Sequence, residues 1–205
     1  MKKLKTKKMT DFLLEILSEE IPAKMQKAAV QNFAKNAADV FIKNNLSTVQ
    51  RQINDALDKF ARSKDSVKLL AVSKTKPITA IEKAYEAGQR DFGENYLQES
   101  VDKITQLAHL PGAVWHFIGP IQSNKTTAIA NNFSWVHSVD RAKIARRLNE
   151  QRSSQDTPLN VCLQVNISGE STKSGMLVEE LDELAQIVDS SPNLVLRGIM
   201  AIPKK

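Results

Sequence analysis

One cysteine among 205 residues, Cys162, excludes an internal disulfide, and its place in the apolar run "NVCLQVNI" reads as a small buried hydrophobe. A reducing, cytoplasmic setting is expected. Nowhere does the chain approach the roughly 18 to 20 consecutive apolar residues that span a bilayer, so no membrane partner is expected. Near the N-terminus, "FLLEIL" is interrupted by Glu15 and followed by Glu19 and Glu20, and no export signal is read. His109, His116 and His137 have no ligand-like spacing with one another or with Cys162, so no metal site is expected. No Ser, His and Asp arrangement and no P-loop can be assembled, and no catalytic residue is named.

An excess of charge of one sign is also missing from most of the chain. The formal net charge is +6, but Lys2, Lys3, Lys5, Lys7 and Lys8 hold five of the 29 basic residues, leaving 24 against 23 acidic ones. A balanced body with a basic tail points away from nucleic acid. With 41% hydrophobic and 25% charged residues, the chain has the composition of an ordinary folded domain.

The texture changes near Asn44 to Leu46. Residues 1 to 44 form an N-terminal extension, a basic tail followed by a helix in which Met25, Ala29, Phe33, Ala37 and Phe41 recur at helical spacing. Beyond it, Leu46, Val49, Ile53, Leu57 and Phe60 mark another helical stripe, and "VKLLAVSK" reads as a strand. Helix and strand then alternate through "TAIEKAYEA", "RDFG", "YLQESVDKITQLA", "WHFIG", "KTTAIANN", "WVHSV", "RAKIARRLNEQ", "NVCLQVNI", "LVEELDELAQIV" and "LVLRGIMAI". Six strands separated by five helices argue for a parallel sheet covered by helices. A doubly wound sheet would carry glycines in its first turn, whereas "SKTKPIT" has none. The (β/α) barrel is therefore favoured, with residues 45 to 205 as its domain and six of the usual eight strands in the chain.

A barrel keeps its chemistry at the C-terminal ends of its strands, where Lys74, Asn95, the "GPIQSNK" loop and the "NISGESTKSG" loop all fall. In an extended segment Leu70, Val72 and Lys74 share one face, and a desolvated lysine with Lys76 nearby could serve as a nucleophile toward carbonyl groups. A snorkelling lysine would fit the same spacing. Helix capping would account for Asn95, and a hydrogen-bonded core position for His116.

Taken together, "LLAVSKTKP", "AGQRDFGENYLQE", "WHFIGPIQSNK", "LQVNIS", "KSG" and "LRGIMAIP" resemble the pyridoxal 5′-phosphate homeostasis protein family, also called YggS or PROSC, from about Asn45 to Pro203. The resemblance implies a barrel like the N-terminal domain of alanine racemase, with pyridoxal 5′-phosphate (PLP) held as a Schiff base on Lys74. It places Asn95, His116 and Met200 around the cofactor. Family members have no established activity and resemble carriers that keep PLP supply balanced, so the expected partners are PLP and PLP-dependent apo-enzymes, and the expected state is a monomer. The family would continue past "MAIPKK" through two more strands bearing the phosphate loops, so an incomplete barrel is expected. A racemase-like enzyme and a remnant that binds PLP weakly or not at all are the alternatives. Separately, "TDFLLEILSEEIPAKMQKAAVQNF" resembles the N-terminus of the glycyl-tRNA synthetase β subunit, over about Met9 to Phe41.

Overall fold

Where apolar residues alternate along a strand and recur every third or fourth position in the next helix, both faces are buried together only if the helix folds back across the sheet. The computed structural model describes residues 23–152, 157–169 and 174–202, with side chains from residue 40 onward. The chain divides into two compact units, Met1–Gln52 and Ile53–Lys205. The stretch resembling the synthetase subunit lies outside the described residues up to Pro22 and continues into helix α1, Ala23–Lys59. That helix passes through the polar stretch near Asn44 without a break, and Thr48 Oγ1 donates back to the Asn44 carbonyl at 2.8 Å. Among the described residues no helix is long and apolar enough to cross a membrane.

The second unit holds strands β1 (Ala71–Val72), β2 (Asp91–Glu94), β3 (Val114–Phe117), β4 (Trp135–Val139), β5 (Leu159–Val165) and β6 (Leu194–Ala201). Between them lie helices α2 (Ile78–Glu86), α3 (Leu97–Gln106), α4 (Thr126–Asn132), α5 (Ala142–Gln151) and α6 (Leu181–Asp189). Every pairing is parallel, and the spatial order is the chain order from β1 to β6. A doubly wound sheet reverses direction at a switch point, and this one never does. Repeated right-handed crossovers that each advance one strand the same way build the arc of a barrel.

The register separates two faces. Phe92 pairs with Trp115, and Phe117 with Val136, putting large apolar side chains on the helix-covered side. Phe92, Phe117, Val136, Val161 and Leu163 are buried there beneath helix residues such as Ile129, Ile144, Leu148 and Val188. Burial of apolar surface stabilises by about 25 cal/mol per Å², so these nearly inaccessible side chains contribute to the stability of the fold. The opposite, inward face carries Gly93, His116, Trp135 and Asn160 in one continuous register row. That face is polar.

Candidate functional site

At the C-terminal end of β1 the ladder continues one residue past the strand, with Ser73 N–H donating to Gly93 O at 2.9 Å. The chain then turns sharply, closed by Lys76 N–H donating to Ser73 O at 3.0 Å. Lys74 and Thr75 are the two corner residues. This corrects the expectation that Lys74 is the last residue of an extended strand: it is exposed on a turn, so the desolvation invoked for it is not present. Thr75 has φ of 61°, a left-handed conformation that turns of this kind normally give to glycine or asparagine.

Three side chains hold that turn. Lys103, buried on α3, donates from Nζ to Ser73 O and to Glu94 Oε1, each at 2.9 Å, and pairs with Glu99 Oε1 at 2.6 Å. Glu94 is fully buried and also accepts the Ser73 hydroxyl at 2.6 Å. Glu99 Oε1 accepts the Thr75 N–H at 3.0 Å. The hydrogen bond from Lys103 holds the Glu99 carboxyl below the usual carboxylate range, helped by the ammonium charge and the Thr75 N–H against some desolvation. Residues on both sides of Lys74 are thereby anchored.

Asn95 follows β2, and helix capping does not account for it: α3 begins at Leu97, the capping position is Tyr96, and no side chain caps it. Asn95 Oδ1 is instead buried without a hydrogen-bond partner. Gly119, at the exit of β3, packs against it so closely that a Cβ there would lie 2.5 Å from Asn95 O.

His116 is a hydrogen-bonded interior histidine. Its Nε2 lies 3.0 Å from Asp91 Oδ1 and its Nδ1 lies 2.9 Å from His137 Nε2. The carboxylate accepts from Nε2–H, so Nδ1 is the acceptor and His137 Nε2–H the donor. Lys68 extends the chain of contacts to the same Asp91 oxygen, at 3.3 Å. Further along the inward face, the register slips between Val161 and Cys162, and Arg197 turns onto Asn160 Oδ1 at 2.6 Å and toward the Trp135 ring. Met200 pairs with Gln164 in the register of β6 and β5. A cavity of about 190 Å³ opens nearby between Ile118, Pro120, Gln164, Val165, Asn166, Ser174 and Ile202, and Lys74 is not on its walls. Lys173, in the "NISGESTKSG" loop, lies outside the described residues.

Residues 42–204 match the family model described as the alanine racemase N-terminal domain. A pyridoxal phosphate homeostasis protein of Pseudomonas aeruginosa is 58% identical over 163 residues, covering 80% of this chain and 70% of the relative. The chain belongs to the pyridoxal phosphate homeostasis protein family. The Escherichia coli K12 member is 54% identical over 164 residues, 79% of this chain and 70% of that one. Among solved structures, PipY of Synechococcus elongatus PCC7942 with PLP bound superposes at a TM-score of 0.69 with 34% identity, over 79% of this chain and 70% of PipY. Alanine racemase from E. faecalis, at 18% identity and a TM-score of 0.54 over 74% of this chain and 41% of that one, shares the fold. The barrel of the alanine racemase N-terminal type, with a helical N-terminal part, is thus the architecture of this family member.

Sequence reasoning on the homeostasis motifs missed Lys103, Glu94 and Glu99, although Glu99 and Lys103 stand four residues apart on one helix face, the spacing of a helical ion pair. It also missed that Asp91, His116 and His137 meet, because the three come from different strands and only the parallel register aligns them. Among the described residues no group of three or more His, Cys, Asp and Glu side chains is arranged to hold a metal ion.

The histidine pair makes stability depend on pH. Burial lowers His116, offset in part by the Asp91 hydrogen bond and charge, and burial with the neighbouring His116 lowers His137 to about 4. Unfolded histidine titrates near 6.5, so between roughly pH 6.5 and 4 the unfolded chain binds more protons and stability falls as pH falls. Above that window the histidines contribute no slope. Urea unfolding is expected to show about 1–2 kcal/mol less stability at pH 5 than at pH 7 from His137, after discounting for its partial exposure. In His137→Gln the His137 share of that difference should disappear; an unchanged slope would place its origin elsewhere.

Proposed function

We propose that this chain binds PLP through Lys74 and serves intracellular PLP homeostasis without turning over a substrate. The observation that carries the reading is an exposed primary amine on a turn anchored on both sides, at the C-terminal mouth of a barrel of this family. PLP would supply an aldehyde carbon that condenses with a primary amine, releasing one water and changing no oxidation state.

The residues present fit that group. Lys74 offers the amine in the open, and Asn95 keeps a buried acceptor oxygen with no partner beside the same mouth. His116 and Met200 are on the inward-facing register rows of β3 and β6, and we assign them to the lining of the cofactor site together with Asn95. The relatives' names and the PLP held by PipY support the same reading. Two features of the inward face support the absence of turnover in this reading. Both ring nitrogens of His116 are engaged, by Asp91 and His137, and burial raises the Cys162 thiol away from its nucleophilic form. Recipient apo-enzymes, a cytoplasmic site of action, a monomeric state, and a barrel domain of residues 45 to 205 behind an extension of residues 1 to 44 belong to this proposal.

The test is direct. PLP added to the purified chain should give visible absorbance, and borohydride reduction followed by peptide mapping should place the label on Lys74. Label scattered over surface lysines, with Lys74 unmodified, would defeat the proposal. Racemisation of alanine or serine by the loaded protein would defeat the part that denies turnover.

A further inference from the structure

We propose that Glu99 and Lys103 of α3 are positioning residues that hold Thr75 in its left-handed conformation and so fix where the turn presents Lys74. The inference rests on Lys74 being the PLP-bearing amine. Its physical basis is a conflict between sequence and conformation at the corner of the turn.

Thr75 is β-branched, and φ of 61° brings its Cβ close to backbone atoms, a strained arrangement that persists only where surrounding bonds enforce it. Those bonds are visible. Glu99 Oε1 accepts the Thr75 N–H at 3.0 Å, and Lys103 Nζ donates to Ser73 O, the same carbonyl that closes the turn through Lys76 N–H. Lys103 and Glu99 also bind each other at 2.6 Å, so the two ends of the clamp are one unit. Without Glu99 the Thr75 N–H loses its partner, and the residue relaxes toward φ below zero, which rotates the peptide joining it to Lys74. A lysine merely tolerated at a strand end would need no such strain beside it.

Glu99→Ala separates the clamp from the fold, because Glu99 is partly exposed and its removal leaves the buried Lys103–Glu94 pair intact. Three proteins are compared: wild type, Glu99→Ala, and Thr75→Asn combined with Glu99→Ala. Asparagine adopts the left-handed conformation far more readily than threonine, so it should supply the geometry without the clamp. The readouts are the PLP dissociation constant from absorbance, the borohydride-fixed label at Lys74 relative to Lys76, and the thermal midpoint.

Glu99→Ala is expected to weaken PLP binding about tenfold and to spread label onto Lys76, with a small change in thermal midpoint. The double variant is expected to recover most of the affinity and the label at Lys74. Wild-type labelling at Lys74 that Glu99→Ala leaves unchanged overturns the clamp while keeping the proposed function. A double variant no better than Glu99→Ala overturns the role of Thr75. Wild-type protein with no label at Lys74 overturns the proposed function, and the clamp with it.

Discussion

Replacing Lys103 with methionine is expected to lower the unfolding free energy by about 3–5 kcal/mol, the usual cost of removing one partner of a buried ion pair. The size follows from what stays behind. Glu94 is fully buried, Lys103 Nζ is 2.9 Å from its Oε1, and its Oε2 has no hydrogen-bond partner. With the ammonium gone, the carboxylate keeps only the Ser73 hydroxyl. Methionine fills the space of the lysine stem, so packing changes little and the loss reports the uncompensated charge. Adding Glu94→Gln in the same chain should restore most of the stability, since neither charge is then buried alone. Urea unfolding of the two single variants and the double variant forms the cycle. A Lys103→Met protein within about 1 kcal/mol of wild type would mean that the pair contributes nothing to the fold. The same ammonium binds Ser73 O, so this variant should also disturb PLP binding, but through the fold, which is why the partly exposed Glu99 is the cleaner probe of the turn.

The strands and helices were legible because this barrel repeats one short pattern, a compact apolar strand followed by an amphipathic helix. "RDFG" and "WVHSV" announce β2 and β4 within a residue of their ends. The first strand was harder to read. "VKLLAVSK" looks extended throughout, yet only Ala71 and Val72 are strand, and the chain turns at Lys74 and Thr75, where Thr75 takes a conformation that its type alone argues against. The sequence places a turn at "SKTKPIT", but nothing local in it signals the left-handed Thr75, whose N–H is accepted by Glu99, 24 residues onward. The capping reading of Asn95 fails in the same way. An asparagine just ahead of a helix reads as a cap, but the packed Gly119 loop and the later start of α3 leave its oxygen buried and unpaired. Local pattern specified the elements, whereas contacts across strand ends specified the site.

Gly119→Ala is expected to be among the most damaging single-methyl changes at the mouth of the barrel, lowering stability by about 2–4 kcal/mol and weakening PLP binding. The reason is space rather than backbone angle. A Cβ on Gly119 would sit 2.5 Å from the Asn95 carbonyl oxygen and 2.9 Å from its Cα, both main-chain atoms that no rotamer change can move aside. From the other side, the Ser138 hydroxyl donates to Gly119 O, so the loop cannot simply withdraw. The loops after β2 and β3 must part, and Asn95 moves with them. Gly112 supplies the contrast. It has φ of 76° and nothing within 4 Å of the point where a Cβ would stand, so alanine there should cost only the backbone preference, about 1 kcal/mol, with PLP affinity unchanged. Unfolding midpoints and PLP dissociation constants of both variants decide the matter. If Gly119→Ala behaved like Gly112→Ala in both measurements, the close approach at Asn95 would not be what shapes this mouth.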